Sequence, residues 1–146
     1  MTEKNGKYEG KTIKVACDLY PENWLEFRAD ITQRQYNRYT IHPTAEEIHL
    51  SYAARLDKEV GDLTDQEKTA AEVEAAKQQT ETITAILRDI VIDGVLMVDG
   101  QEVRGIDAIL EADFEGVTMP VANFWGSAFF QATAEAFRLG KPVRLN

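Results

Sequence analysis

The segment from Val121 to Leu139 constrains this 146-residue chain more than any other. Val121, Trp125, Phe129, Ala132 and Ala136 share one face at helical spacing, while Phe124, Phe130 and Phe137 fall largely outside it. A helix that only covers a domain needs a single apolar stripe. One that is apolar around most of its circumference is either central, with other elements wrapped about it, or partly covered by another polypeptide. The two are compatible if the domain self-associates through this helix. Aromatic side chains are favoured anchors at interfaces, so Phe124, Trp125, Phe129, Phe130 and Phe137 are the candidate protein-interface residues. The helix is expected to begin near Thr118 to Pro120, proline being tolerated in a first turn, and to close at Gly140.

What surrounds that helix is read from local signals. Ile13, Val15, Cys17 and Leu19 alternate, the period of a half-buried strand. Pro21, Glu22 and Asn23 supply a turn, and Trp24–Arg28 reads as the returning strand, so an N-terminal β-hairpin is expected. Thr32, Thr44 and Thr64 are each followed three residues later by Gln or Glu, the capping-box spacing that marks a helix start. The first helix ends before His42-Pro43. The second carries Ala45, Ile48, Tyr52 and Leu56 as its apolar stripe, with Gly61 as its end. The third runs from about Thr64 towards Ile92. Its alanine-rich first half is held by propensity and free to project, and its second half is anchored by Ile83, Ile86, Leu87, Ile90 and Val91. Asp99-Gly100 between Val95–Val98 and Gln101–Arg104 predicts a second, tight hairpin at 95–104. A helical piece near Ile106 to Phe114 turns Ile106, Ile109 and Leu110 inward and is broken by Gly116. The expected fold is α+β and mainly α, with four to five helices and a long middle one. Residues 1–10 form a flexible lead-in and 11–146 a single domain, with 57–64 the one candidate linker.

Composition narrows the function. A chain that is 44% hydrophobic and 28% charged folds rather than staying disordered. Met1 opens on Thr2, Glu3 and Lys4 with no apolar run to serve as a signal sequence. No stretch reaches the roughly 20 apolar residues of a membrane span. The chain is therefore expected to be soluble and cytoplasmic, with no membrane partner. The net charge of −9, from 25 acidic and 16 basic side chains, repels phosphate backbones and disfavours nucleic acid. It also keeps a protein dissolved while apolar surface is displayed.

The catalytic inventory is poor, and no catalytic, cofactor-binding or metal residue is assigned. Ser127 after Gly126 lacks the second glycine of a nucleophile elbow, and no phosphate-cradling glycine loop is present. Glu46 and His49 make one Glu-x-x-His unit, but a di-iron bundle needs a second. Asp93 and Asp99 lack alternating oxygen ligands between them. Arg34, Tyr36, Arg38 and Tyr39 could stack on single-stranded nucleic acid, against the plainer reading of an amphipathic helix with its tyrosines turned inward towards the hairpin. Cys17 has no cysteine to pair with and reads as a small core residue.

The succession Trp24-Leu25-Glu26-Phe27-Arg28-Ala29-Asp30-Ile31-Thr32-Gln33-Arg34-Gln35-Tyr36-Asn37-Arg38-Tyr39 resembles the opening of some bacteriophage tail assembly chaperones. There a short strand leads through an Asp/Thr cap into a helix bearing Gln-x-x-Tyr-type residues. The resemblance covers about a tenth of the chain. It implies a non-enzymatic, self-associating protein in the bacterial host cell that shields helical, hydrophobic segments of the tape-measure protein until the tail tube assembles. The alternative is a small regulatory or ligand-binding module with a pocket between the last helix and a hairpin.

Overall fold

A computed structural model describes residues 8–140. Most of the expected lead-in, and everything after Gly140, lies outside the described residues. Tyr8 is no loose end: its hydroxyl donates to the Lys11 carbonyl at 2.8 Å, and the Arg28 guanidinium lies 4.7 Å from its ring centre.

The fold is α+β and mainly α, as expected. The two expected hairpins join into one four-stranded antiparallel sheet in chain order: β1 (Thr12–Ala16), β2 (Trp24–Arg28), β3 (Val91–Val98) and β4 (Gln101–Arg104). Five α-helices accompany it among the described residues: α1 (Gln33–Thr40), α2 (Ala45–Arg55), α3 (Asp65–Ile90), α4 (Ile106–Leu110) and α5 (Met119–Gly140). The chain divides into two compact units, one carried inside the other's sequence. Met1–Gln33 with Leu87–Asn146 make the sheet-bearing unit and Arg34–Ile86 the helical one, so neither boundary falls at 57–64. Phe27 and Val91 are register partners, so the chain leaves the sheet and re-enters it at one place. Arg28 holds that place, with its Nε 3.0 Å from Asp30 on the way out and a guanidinium nitrogen 3.8 Å from Asp89 on the way back. The hydrogen bond to Arg28, with their mutual attraction, holds the Asp30 carboxyl below its ordinary pKa against an opposing effect of burial.

In the sheet-bearing unit, β1 turns Ile13 inward, as does Cys17 just after it, and β2 turns Leu25 and Phe27. Leu19 departs from the expected alternation. β1 stops at Ala16, the Cys17 N–H closes onto the Asn23 carbonyl at 2.9 Å, and Leu19 sits 65% exposed on the turn between them. At the other end of the sheet, Asp99 and Gly100 both take positive φ, 52° and 76°, as a two-residue hairpin turn demands. β3 begins directly at Val91, with no loop after Ile90. The expected helix-end residues Val91 and Ile92 are therefore strand, and a register shift at Glu26/Phe27 lets buried Val91 pair with Phe27. Gly94 faces Leu25, where an added Cβ would lie 2.5 Å from a Leu25 methyl, so the close approach requires glycine. On the opposite face Trp24 is the register partner of buried Val95, with the Lys14 ammonium 4.0 Å and the Arg104 guanidinium 5.7 Å from its ring.

The helical unit rests on its caps. Glu47 N–H donates to Thr44 Oγ1 at 3.1 Å and Thr44 N–H to Glu47 Oε1 at 2.9 Å. The same reciprocal pair joins Glu67 and Thr64 at 3.0 and 2.9 Å. α2 ends at Arg55 rather than running on to Gly61. Asp57 takes the left-handed conformation (φ 58°), and Lys58 N–H closes onto the Ala53 carbonyl at 2.9 Å, a Schellman stop without glycine. The expected stripe on α2 is largely unburied: Ala45 and Leu56 are exposed, Ile48 and Tyr52 half-buried, and only Ala53 is enclosed. The alanine-rich half of α3 is tied to α2 instead of projecting. His49 lies 2.6 Å from Glu72, Arg55 2.6 Å from Glu74, and Lys58 of the following loop 2.7 Å from Glu67. Ala71 is buried on that half. Such exposed pairs each contribute little, and the buried apolar residues here, Ala53, Leu63, Ala71 and Ile86, are few and mostly small. This unit is expected to open at lower free energy than the sheet.

Candidate functional site

α5 is long because nothing inside it argues against a helix except Gly126. Pro120 sits in its first turn, where its missing N–H has no helical partner to lose. It lies along β1. Its enclosed face is Val121, Phe124, Ala128 and Ala132, with Phe129 beside it. The sequence reading set Phe124 outside the inward face and Trp125 on it, and the structure reverses that. Phe124 is buried, while Trp125 is only half-buried, its ring 5.4 Å from that of Phe114. Small Ala128 and Ala132 bring the helix close to the sheet, so its inward direction passes through them rather than through the indole.

The five aromatic candidates are therefore not brought together. Phe124 and Phe129 belong to the core. Phe130 and Phe137 lie outward, 45% and 70% exposed, with the Phe130 ring edge-on to Phe129 at 5.6 Å. Met119 is 72% exposed on the same outward line, one helical face running through Asn123, Gly126, Phe130 and Phe137. An added Cβ at Gly126 would meet nothing among the described residues, so no contact with them requires glycine there. The only charged residues of α5 are Glu135 and Arg138, and they pair with each other. The hydrogen bond from Arg138 holds the Glu135 carboxyl below its usual range and raises the guanidinium.

Two further features adjoin this helix and were not anticipated as a site. Leu19, exposed on the β1–β2 turn next to exposed Tyr20, stands beside α5 across a cavity of about 280 Å³ lined by Cys17, Leu19, Pro120, Phe124, Ser127 and Gln131. A second cavity of about 380 Å³ continues from Gln131 along Thr12–Val15 to Glu135 and Leu139. The turn signal at Pro21 could have released Leu19 from the strand. Nothing local could have told which side of α5 would face β1. Cys17 is buried as expected, its Sγ 3.8 Å from the Pro120 carbonyl.

Of the other sequence candidates, His49 and Asp93 are engaged in ion pairs. His49 faces Glu72, and among the described residues no cluster of three or more His, Cys, Asp or Glu side chains could hold a metal. Burial pushes the Tyr39 phenol up, while Tyr36 stays exposed. Asp93 lies in β3 and accepts from Arg104, with contacts of 2.6 and 3.2 Å, and from its neighbour's Gly94 N–H at 2.8 Å. These bonds, Arg104's above all, hold its carboxyl below the ordinary aspartate range despite partial burial. Native Asp93 thus binds its proton less tightly than an unfolded aspartate of pKa about 3.9. Its contribution is full above that value and is lost as the pH falls through the native one. Asp93→Asn is expected to lower stability at pH 7 and to flatten the acid limb of a melting-temperature profile below about pH 4.

Among the described residues no helix is long and apolar enough to cross a membrane. The fold and surface together define a small α+β domain with an uncharged, partly aromatic helix face beside a grooved sheet edge. No family model, curated protein or solved structure matches this chain.

Proposed function

We propose that this protein is a non-enzymatic polypeptide-binding module of the assembly-chaperone type. It holds an apolar segment of another protein against the outward face of α5 and the β1–β2 turn. One observation carries the reading. In a chain of net charge −9, the outward line of α5 is uncharged from Met119 to Phe137, and exposed Leu19 and Tyr20 stand on the neighbouring turn. Apolar surface gathered in one place on a strongly charged protein marks an interaction site, and the surrounding charge keeps the complex dissolved.

The resemblance of Trp24–Tyr39 to tail assembly chaperones supports a narrower form. In it the client is a helical stretch of a phage tape-measure protein, the module self-associates, and the work is done in the bacterial cytoplasm. The ligand-module alternative draws on the cavity at Leu19 and Phe124, which at about 280 Å³ lies just below the usual range for a small-molecule pocket.

The test is an aggregation assay on a hydrophobic helical client, alongside anisotropy with a labelled amphipathic Leu/Lys peptide. Wild type is expected to suppress aggregation and bind the peptide. The double variant Leu19→Asp/Met119→Asp is expected to stay folded, since both side chains are exposed, and to bind about tenfold or more weakly, as when one anchor is lost. Full protection by the double variant, or a wild type that is strictly monomeric and binds no peptide, overturns the proposal.

A further inference from the structure

Among the described residues the sheet ends in two edges, β1 and β4, and they are not alike. In an antiparallel pair, alternate residues turn their N–H and C=O away from the partner. Ala29 N–H donates to the Lys11 carbonyl and Cys17 N–H to the Asn23 carbonyl, both at 2.9 Å. With the β1–β2 register this makes Lys11, Ile13, Val15 and Cys17 the residues bonded to β2. Thr12, Lys14 and Ala16 therefore aim their backbone groups outward. On β4, the Gly105 N–H bonded to the Gly94 carbonyl fixes Glu102 and Arg104 as the outward pair. A four-residue edge whose two outward residues are both charged is well defended against strand pairing. β1 has one charge in the corresponding positions, Lys14, and its ammonium is held over the Trp24 ring.

The two cavities already described share Gln131 and together are lined by the chain from Thr12 to Leu19, β1 and the start of its turn. Their far wall is the flank of α5 that carries Asn123, Ser127, Gln131 and Glu135, one residue every four. On a helix that interval is about 6 Å, and alternate residues of a strand recur at about 6.6–6.8 Å. An extended chain laid along β1 would thus meet one of these side chains with each residue it turns towards α5. Gln131 and Ser127 are already linked at 2.9 Å, and Ser127 donates to the Phe124 carbonyl at 3.2 Å, which sets this wall in place. The end at Leu19, Pro120 and Phe124 is the more apolar, with Asp18 beside it, and the end at Glu135 is polar.

We propose that the groove between β1 and α5 is a strand-addition site. It takes an extended, cationic segment of a partner polypeptide, which bonds to the outward N–H and C=O groups of Thr12, Lys14 and Ala16. The proposal rests on the polypeptide-binding reading above and adds the conformation and charge of the client's flanking segment. Charge decides between occupants. Asp18 lines one end of the groove, Glu135 in its pair with Arg138 lines the other, and Lys14 lies between them with its ammonium over Trp24. The repulsion that matters is therefore that of the whole chain: a second copy would bring another net −9 to a chain that already carries it. A cationic segment relieves that repulsion.

The probe is a capped, fluorescein-labelled heptapeptide of alternating Lys and Val, with its Glu/Val counterpart and two isomers N-methylated on either the Lys or the Val amides. The Lys/Val peptide is expected to bind, the Glu/Val peptide to bind about tenfold or more weakly, and one N-methylated isomer alone to fail. Lys14→Pro removes only an outward N–H, so β2 pairing survives. It is expected to weaken binding about tenfold, the worth of one interface hydrogen bond, while Lys14→Ala stays within about threefold. Should Lys14→Pro disturb the fold by circular dichroism, the N-methylated isomers on wild type decide alone. Absence of Lys/Val binding at millimolar peptide, equal binding of both isomers, or a β1-edge dimer displaced by the peptide overturns the proposal. If it falls while Leu19→Asp/Met119→Asp still abolishes client protection, strand addition alone is lost and the module reading stands.

Discussion

Phe129→Asp is expected to abolish folding of the sheet-bearing unit, whereas Phe137→Asp leaves it folded. Both side chains lie on the same helix and both were interface candidates, but Phe129 is 1% exposed and Phe137 is 70% exposed. Removing a buried phenylalanine ring costs about 3–5 kcal/mol, counting the lost transfer energy and the cavity. Leaving a carboxylate there adds several kcal/mol more unless it takes up a proton. The sum reaches the 5–15 kcal/mol that separates a typical domain from its unfolded chain. Urea titration of circular dichroism should show no cooperative transition for Phe129→Asp. Phe137→Asp should move the midpoint by no more than an exposed substitution does, within about 0.5 kcal/mol. A folded, soluble Phe129→Asp protein would place that ring at an interface and overturn the description of the core given above.

The same pair shows where sequence was a sufficient guide and where it was not. Thr44 and Thr64 announced their helices because a capping box closes within four residues, and Asp99-Gly100 announced its turn because both positions need positive φ. These signals are local. The joining of two hairpins into one sheet is not, since Phe27 meets Val91 only after the whole helical unit has been threaded between them. The switch from helix to strand at Ile90 was hidden because Ile86, Leu87, Ile90 and Val91 suit a helical stripe, and β3 carries no polar alternation to break it. Where both faces of a strand are covered and apolar, period alone does not tell strand from helix. On α5 the large side chains misled. Trp125 and Phe129 suggested an inward face, but close packing turns on the small residues Ala128 and Ala132, which let the helix approach the sheet. Of the candidate site, the outward aromatic residues and the shortage of charge were legible. The groove was not, because it forms only once β1 and α5, a hundred residues apart, lie side by side.

Asn23→Ala is expected to cost about 1–3 kcal/mol, far more than an ordinary turn substitution, because Asn23 is 1% exposed and its side chain completes the sheet. β2 starts at Trp24, opposite Val95, so the next ladder position on β3, Met97, has no strand residue to bond. The Asn23 Oδ1 takes the Met97 N–H at 2.7 Å in its place. Its Nδ2 donates back to the Tyr20 carbonyl at 3.0 Å, which also accepts the Asn23 N–H at 2.9 Å. Alanine leaves Tyr20 one of its two bonds but strands the Met97 N–H, and a buried donor without an acceptor bears its full desolvation penalty. A lower urea midpoint with unchanged slope should report the global loss, and hydrogen exchange at Met97 should quicken about tenfold for each 1.4 kcal/mol. Asn23 also carries the turn that presents Leu19 beside α5, so the variant should weaken binding of the Leu/Lys peptide although Leu19 itself has not changed. If stability falls and peptide binding does not, the turn is not part of the binding surface, and the client is held by α5 without it.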